Sequence, residues 1–174
     1  MKRYLFLLKV LVIGLISFSC ENTFVESKVK IVLTGSVHGQ LDPCGWKKNP
    51  LGGLSRKYVA IKQMRDDGQD PIVLDAGDMF FSTTSLNKNN LESEKHRCET
   101  MLSGYEKIGC DGLNIGKYEL LGGLTYLKSL EQKHPKIPFI SANIRDKKTQ
   151  DLIFAPYRIL KKENLSIGII GVTN

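Results

Sequence analysis

The fold is decided by the segment PIVLDAGD, residues 71–78, in which a short apolar run gives way to a polar turn. A segment of the same kind, KIVLTGSVHG, precedes it at residues 30–39. Short β-branched and apolar runs bounded by glycine predict buried strands. Helical patterns separate these runs, and strands that alternate with helices predict a mostly parallel sheet flanked by helices. The predicted fold class is therefore α/β.

Outward from these two strands, the predicted order of elements is β-α-β-α-β-α-β-β-β. Helical periodicity extends from Leu54 to a stop at Gly68, from Glu92 to Ile108 and from Leu121 to His134. The remaining strands are predicted at residues 112–115, 137–143, 157–160 and 165–172. The last of them is the most apolar and is followed by two residues only, so we expect a truncated domain. Its exposed edge should aggregate or require a protein partner that covers it.

Composition favours a single globular domain, because 41% of the 174 residues are hydrophobic and 25% are charged. The net charge is +7, but Lys2, Arg3 and Lys9 lie within the first nine residues, so the remainder carries only +4. The other basic residues are scattered among acidic ones and form no stripe with aromatic residues. We therefore expect no nucleic-acid partner.

The amino terminus has the pattern of an export signal. Lys2 and Arg3 precede an apolar run that is too short to span a bilayer comfortably. The run ends at Cys20, which resembles the lipidated cysteine of bacterial lipoproteins. We predict a signal peptide at residues 1–20, a tether at residues 21–28 and a lipid anchor in the bacterial cell envelope, facing the periplasm or the outer surface. An ordinary secreted protein and an uncleaved anchor are the alternatives.

Three further cysteines follow the predicted lipidation site: Cys44, Cys98 and Cys110. Their number allows one disulfide with a free thiol, or three free thiols, and spacing does not choose between these. Cys98 and Cys110 are expected to be small buried residues in and just after a helix. No CxxC pair is present, which argues against a zinc ribbon.

Three predicted strand-end loops carry polar clusters, at residues 34–39, 75–78 and 114–119. In open α/β sheets, ligands bind beyond the carboxyl ends of the strands. Together with residues 52–56 and 140–144, these loops resemble the amino-terminal catalytic domain of the calcineurin-like metallophosphoesterases. The nearest branch is that of the periplasmic 5'-nucleotidases and UDP-sugar hydrolases. The resemblance implies that residues 29–174 form the amino-terminal part of an α/β/β/α sandwich.

The resemblance also implies a site that holds two divalent metal ions and hydrolyses phosphate esters, nucleotides among them. His38 and Asp78 stand at metal-ligand positions of the family. Ser36 occupies the position of a ligand aspartate, and Lys117 that of a ligand asparagine. Tyr118 occupies the position of the histidine that assists the leaving group.

The chemistry of these changes predicts an impaired enzyme. A serine hydroxyl is a weak ligand, and a lysine ammonium repels a metal ion. A tyrosine, with a reference pKa of about 10, is a poor general acid. One imidazole and one carboxylate do not suffice for a pair of divalent ions. The alternatives are a non-catalytic lipoprotein that acts as a binding or interaction module, and the remnant of a disrupted gene.

Other interpretations of the same residues are structural. His38 and Asp78 can be loop residues that satisfy backbone amides, and the ammonium of Lys117 can stand beside Asp78 in place of a metal. Asp75 is expected to be a hydrogen-bond acceptor at the end of its strand. His96 and His134 are expected to be solvated on helices.

Overall fold

The computed structural model describes residues 28–45 and 51–174. The predicted signal peptide, Cys20 and all of the tether except Lys28 therefore lie outside the described residues. Within the described part, every helix is too short or too polar to cross a membrane.

A four-stranded parallel sheet forms the centre of the protein. Its strands lie side by side in chain order, β1-β2-β3-β4. The register places Ile31 opposite Ile72 and Thr34 opposite Asp75, so the first two strands end together. The four strands are β1 (Ile31–Thr34), β2 (Ile72–Asp75), β3 (Gly112–Asn114) and β4 (Phe139–Ile140). The predicted α/β class and the order of elements are confirmed.

In the described part of the chain, three α-helices connect the strands, and they are α1 (Leu54–Asp66), α2 (Leu91–Ile108) and α3 (Leu124–Lys133). Helix α2 supplies much of the core, because its side chains Met101, Leu102, Tyr105 and Ile108 are all buried against the sheet. The apolar residues that directly follow Asp78, residues 79–81, are buried as well. This burial fixes the loop that carries Asp78 to the core.

An antiparallel hairpin of β5 (Tyr157–Lys162) and β6 (Leu165–Ile170) completes the described chain. It joins the parallel sheet where Ile140 bridges to Ala155 and where the amide of Ala142 donates to the carbonyl of Gly171 over 2.7 Å. Large apolar side chains on β1, β5 and β6 remain exposed, among them Leu33, Ile159 and Ile170. The exposure agrees with the predicted apolar edge, and the protein partner stays a prediction.

The third helix and strand β4 differ most from their predicted bounds. The third helix begins at Leu124 rather than Leu121, because Gly123 has a φ of 82° that no α-helix contains. The residues before it form a separate 3₁₀ helix at Glu119–Gly122. Strand β4 ends at Ile140, since the amides of Ser141 and Ala142 turn to bond Ala155 and Gly171 instead.

Candidate functional site

The loops after β1 and β2 are joined by backbone hydrogen bonds. The amide of Ser36 donates to the carbonyl of Gly77 over 2.8 Å, and the amide of His38 donates to that of Asp78 over 3.0 Å. Ser36, His38 and Asp78 all have positive φ, at 52°, 47° and 55°. Non-glycine residues rarely adopt this region, and clusters of such residues are common at functional sites. The structure therefore brings Ser36, His38 and Asp78 together at the carboxyl ends of β1 and β2, an edge of the sheet that we call the rim.

The loop after β3 closes directly on the carboxylate of Asp78. The amide of Tyr118 donates to Asp78 Oδ1 over 2.9 Å. Gly116 lies so close that a Cβ atom there would stand 2.6 Å from the same oxygen. One oxygen of the predicted metal-binding carboxylate is thus engaged by protein.

An aromatic contact joins His38 to Tyr118. The two ring centroids are 4.4 Å apart, with an angle of 59° between the ring planes. The Nδ1 atom of His38 is buried and has no hydrogen-bond partner in the described residues. Tyr118 therefore lies against the imidazole that the resemblance assigns to a metal ion.

Lys117 does not fill the place of a metal. Its side chain is exposed, and within residues 28–45 and 51–174 it forms no ion pair with Asp78. The hypothesis that its ammonium neutralises this carboxylate is wrong in this structure. The described part of the chain also contains no group of three or more histidine, cysteine, aspartate or glutamate side chains placed to hold a metal ion.

Glu119, the first residue of the 3₁₀ helix, connects two of the loops at the rim. Its carboxylate is fully buried and accepts four backbone N–H groups at 2.7–3.1 Å, from Asp78, Met79, Phe80 and Gly116. Burial raises the pKa of Glu119, and these four donors oppose the rise. Glu119 thereby fastens the loop after β2 to the loop after β3. The sequence signal for this residue was its place in the polar strand-end loop at residues 114–119.

Asp75 organises a second buried network behind the rim. Its carboxylate accepts hydrogen bonds from the hydroxyls of Thr34 and Tyr105, both over 2.6 Å, and from the amide of Gly77 over 3.0 Å. The ammonium of Lys57 lies 3.7 Å from Asp75 Oδ2. Burial lowers the pKa of Lys57, and the charge of Asp75 opposes this. The prediction that Asp75 is a strand-end acceptor is confirmed.

The remaining candidates lie away from this rim. His134 is buried at the end of α3, with Nδ1 3.5 Å from a carboxylate oxygen of Glu106, so the expectation that it is solvated is wrong. The end of α3 lies beside α2 there, where the ammonium of Lys133 also pairs with the carboxylate of Glu99. His96 is exposed, as expected.

All three described cysteines are free thiols. Cys44 is exposed, whereas Cys98 and Cys110 are buried, as expected for the latter two. Burial raises the pKa of Cys98 and of Cys110 to about 12 in each case. Such thiols remain protonated and unreactive near neutral pH.

Curated proteins of similar sequence exist, although no protein-family model matches the chain. A 5'-nucleotidase of Vibrio parahaemolyticus is 30% identical over 157 residues, which cover 87% of this chain and 26% of that protein. UshA of Escherichia coli is 29% identical over 152 residues, which cover 84% of this chain and 25% of that protein.

Solved structures share the fold. Calcineurin-like phosphoesterase YfkN of Bacillus subtilis superposes with a TM-score of 0.63 at 20% identity, covering 83% of this chain and 48% of that one. The sequence matches to the 5'-nucleotidase and to UshA over 84–87% of this chain, together with this shared fold, place the chain in the calcineurin-like phosphoesterase superfamily. The NAD nucleotidase of Haemophilus influenzae, another structure of this fold, gives a TM-score of 0.66 at 24% identity and covers 83% of this chain and 26% of that one.

The described calcineurin-like phosphoesterase fold corresponds to the amino-terminal part of these relatives. The chain spans about a quarter of the length of the curated relatives reported above. The predicted superfamily and the predicted sandwich architecture are thereby confirmed. The activity of the chain is a separate matter, because function depends on the residues at the site rather than on the fold.

Proposed function

We propose that this chain is an exported, 5'-nucleotidase-like protein with a phosphoesterase fold that has lost most or all hydrolytic activity. The proposal rests on which side chains occupy the rim and on what they contact. Asp78 and His38 are in place, but Tyr118 contacts both of them, through its amide and its ring. Ser36 and Lys117 offer a neutral hydroxyl and a cation where two ligands would be needed.

The donor set of the rim does not fit a pair of divalent ions. Two such ions need several anionic oxygen and imidazole ligands to offset their charge and to lower the pKa of bound water. Of the described residues at the rim, Asp78 supplies one carboxylate, and one of its oxygens already accepts a hydrogen bond. The carboxylate of Glu119 is occupied by four backbone amides.

Binding of a phosphate ester without turnover remains compatible with this rim. Lys117 is an exposed cation in the same loop as Tyr118, and Ser36 has an exposed hydroxyl. A cation and a hydroxyl favour an anionic ester such as a nucleotide. The proposed role is therefore that of a binding module of the cell envelope, held there by the predicted lipid on Cys20. The apolar run after Lys2 and Arg3 supports export.

The decisive test is metal content together with phosphate release. Purified protein incubated with Mn²⁺ should retain well under two equivalents after dialysis, and it should release no phosphate from AMP above buffer. The variant Ser36→Asp/Lys117→Asn/Tyr118→His restores the family residues and should retain more Mn²⁺. Two tightly held ions in the natural sequence, with turnover that Asp78→Ala abolishes, would overturn the proposal.

Exposed apolar strands favour a second candidate function, that of an interaction module. Ile159 and Ile170 are 59% and 69% exposed, and Leu33 is 65% exposed. Contiguous apolar surface of this kind marks interaction sites or causes aggregation.

We expect the isolated chain to self-associate, which sedimentation velocity will measure. Ile159→Thr/Ile170→Thr should shift it towards monomer, since threonine keeps β-propensity but is polar. The control Lys161→Thr lies on the same strand, is exposed and should leave self-association unchanged. A monomer with a sharp, reversible melt would contradict this expectation.

A further inference from the structure

A pocket of about 480 Å³ lies behind the rim, between the end of β1 and helices α1 and α2. Its apolar wall includes Val37, Leu54 and Met101, and its polar wall includes Ser36, Gln40, Arg56 and Lys57. A small ligand site typically combines an apolar lining with a few convergent polar groups, and this pocket has that composition.

Lys57 brings a largely buried cation into the pocket. Its side chain is 14% exposed, and its ammonium donates a hydrogen bond to the Thr34 hydroxyl over 2.6 Å. It also lies 3.9 Å from the centre of the Tyr105 ring. An ammonium has three N–H donors, so Lys57 can donate further hydrogen bonds to a ligand.

Three other polar side chains of the lining are unused. The hydroxyl of Ser36, the amide of Gln40 and the guanidinium of Arg56 make no side-chain hydrogen bond or ion pair with any residue of the described ranges. Arg56 is the neighbour of Lys57 on α1. A guanidinium binds a carboxylate through two parallel hydrogen bonds.

The net charge of the side chains at the pocket determines which charge a ligand should carry. Arg56 and Lys57 carry two positive charges, and the nearby carboxylate of Asp75 offsets one of them. The surplus of one positive charge matches a monoanion. We propose that this pocket binds a small organic monocarboxylate, with its carboxylate at Arg56 and Lys57 and its apolar part against Met101. The proposal does not depend on a metal ion at the rim.

The test uses protein labelled with ¹³C at the methionine methyl groups, in the presence of a metal chelator. The signal of Met101 is identified through its loss in Met101→Leu. Hexanoate should shift this signal in a saturable manner, whereas the neutral hexan-1-ol and inorganic phosphate should shift it far less. Phosphate lacks the apolar part that the lining would contact.

Variants separate the pocket from general charge effects. Arg56→Gln should weaken hexanoate binding about tenfold, which corresponds to the loss of one charge-assisted hydrogen bond. Lys88→Gln removes an exposed charge outside the lining and should leave the affinity unchanged. The proposal is overturned by an unshifted Met101 signal, by equal responses to hexanoate and either control compound, or by unchanged binding in Arg56→Gln.

Discussion

The variant Glu119→Gln should lower the free energy of unfolding by about 3 kcal/mol or more, because hydrogen bonds to a buried charged acceptor contribute about 1.5–3 kcal/mol each. Each carboxylate oxygen of Glu119 accepts hydrogen bonds from two backbone N–H groups. The side chain of glutamine is nearly the same shape, but its NH₂ group would face two of those donors. Urea unfolding followed by circular dichroism measures the loss.

The control for this prediction is Glu92→Gln on helix α2. The Glu92 side chain is 84% exposed, and its contact is a surface ion pair with Lys95. Such pairs contribute little, so the midpoint of unfolding should barely move. If Glu119→Gln unfolds at the same urea concentration as Glu92→Gln, the buried carboxylate does not hold the two loops together.

The second large effect is expected for Asp75→Asn, which should cost about 3–5 kcal/mol, because it leaves the charge of Lys57 buried without a counter-charge. Asp75 is 2% exposed, and its carboxylate also accepts hydrogen bonds from Thr34 and Tyr105. The same urea experiment applies. Asp67→Asn, at the exposed end of α1, is the matched control and should have little effect.

A double variant identifies the cause of that loss. Asp75→Asn/Lys57→Met removes both charges, and it should be less destabilised than the sum of the two single variants, because each single variant leaves one buried charge unpaired. Additive losses would mean that the interaction between Asp75 and Lys57 contributes nothing, and that packing or the hydroxyl contacts account for the effect.

The buried carboxylates of Asp75 and Glu119 hold the backbone of the rim in place through hydrogen bonds within the protein. Asp75 holds the amide of Gly77, and Glu119 holds the amides of the next three residues, Asp78 to Phe80. The backbone around Asp78 is therefore fixed from both sides by buried carboxylates. Neither support uses the side chains of Ser36, Lys117 or Tyr118, so the residues found at these three positions are compatible with the fold.

Much of the fold was predictable from local sequence. The apolar runs at residues 30–34 and 71–75 and the helical period between them predicted a parallel sheet. Strand β2 is buried as such a run predicts, whereas Ile31 and Leu33 of β1 are exposed, so the prediction of a buried strand was wrong for β1. The end of the helix at residues 92–108 was predicted as well, since Gly109 adopts the left-handed conformation there. The start of α3 was predicted wrongly, because periodicity cannot distinguish the 3₁₀ turn that Gly123 separates from the helix.

The sequence alone determined the fold class, the order of elements and the set of residues that stands at the rim, because these follow from local patterns of apolarity and from motif positions. Only the tertiary structure decided what those residues do. Contacts between side chains from different strand ends placed Tyr118 against His38, left Lys117 in solvent and buried Glu119 and Asp75 under backbone amides and hydroxyls. Long-range packing sets these contacts, and no local pattern encodes them.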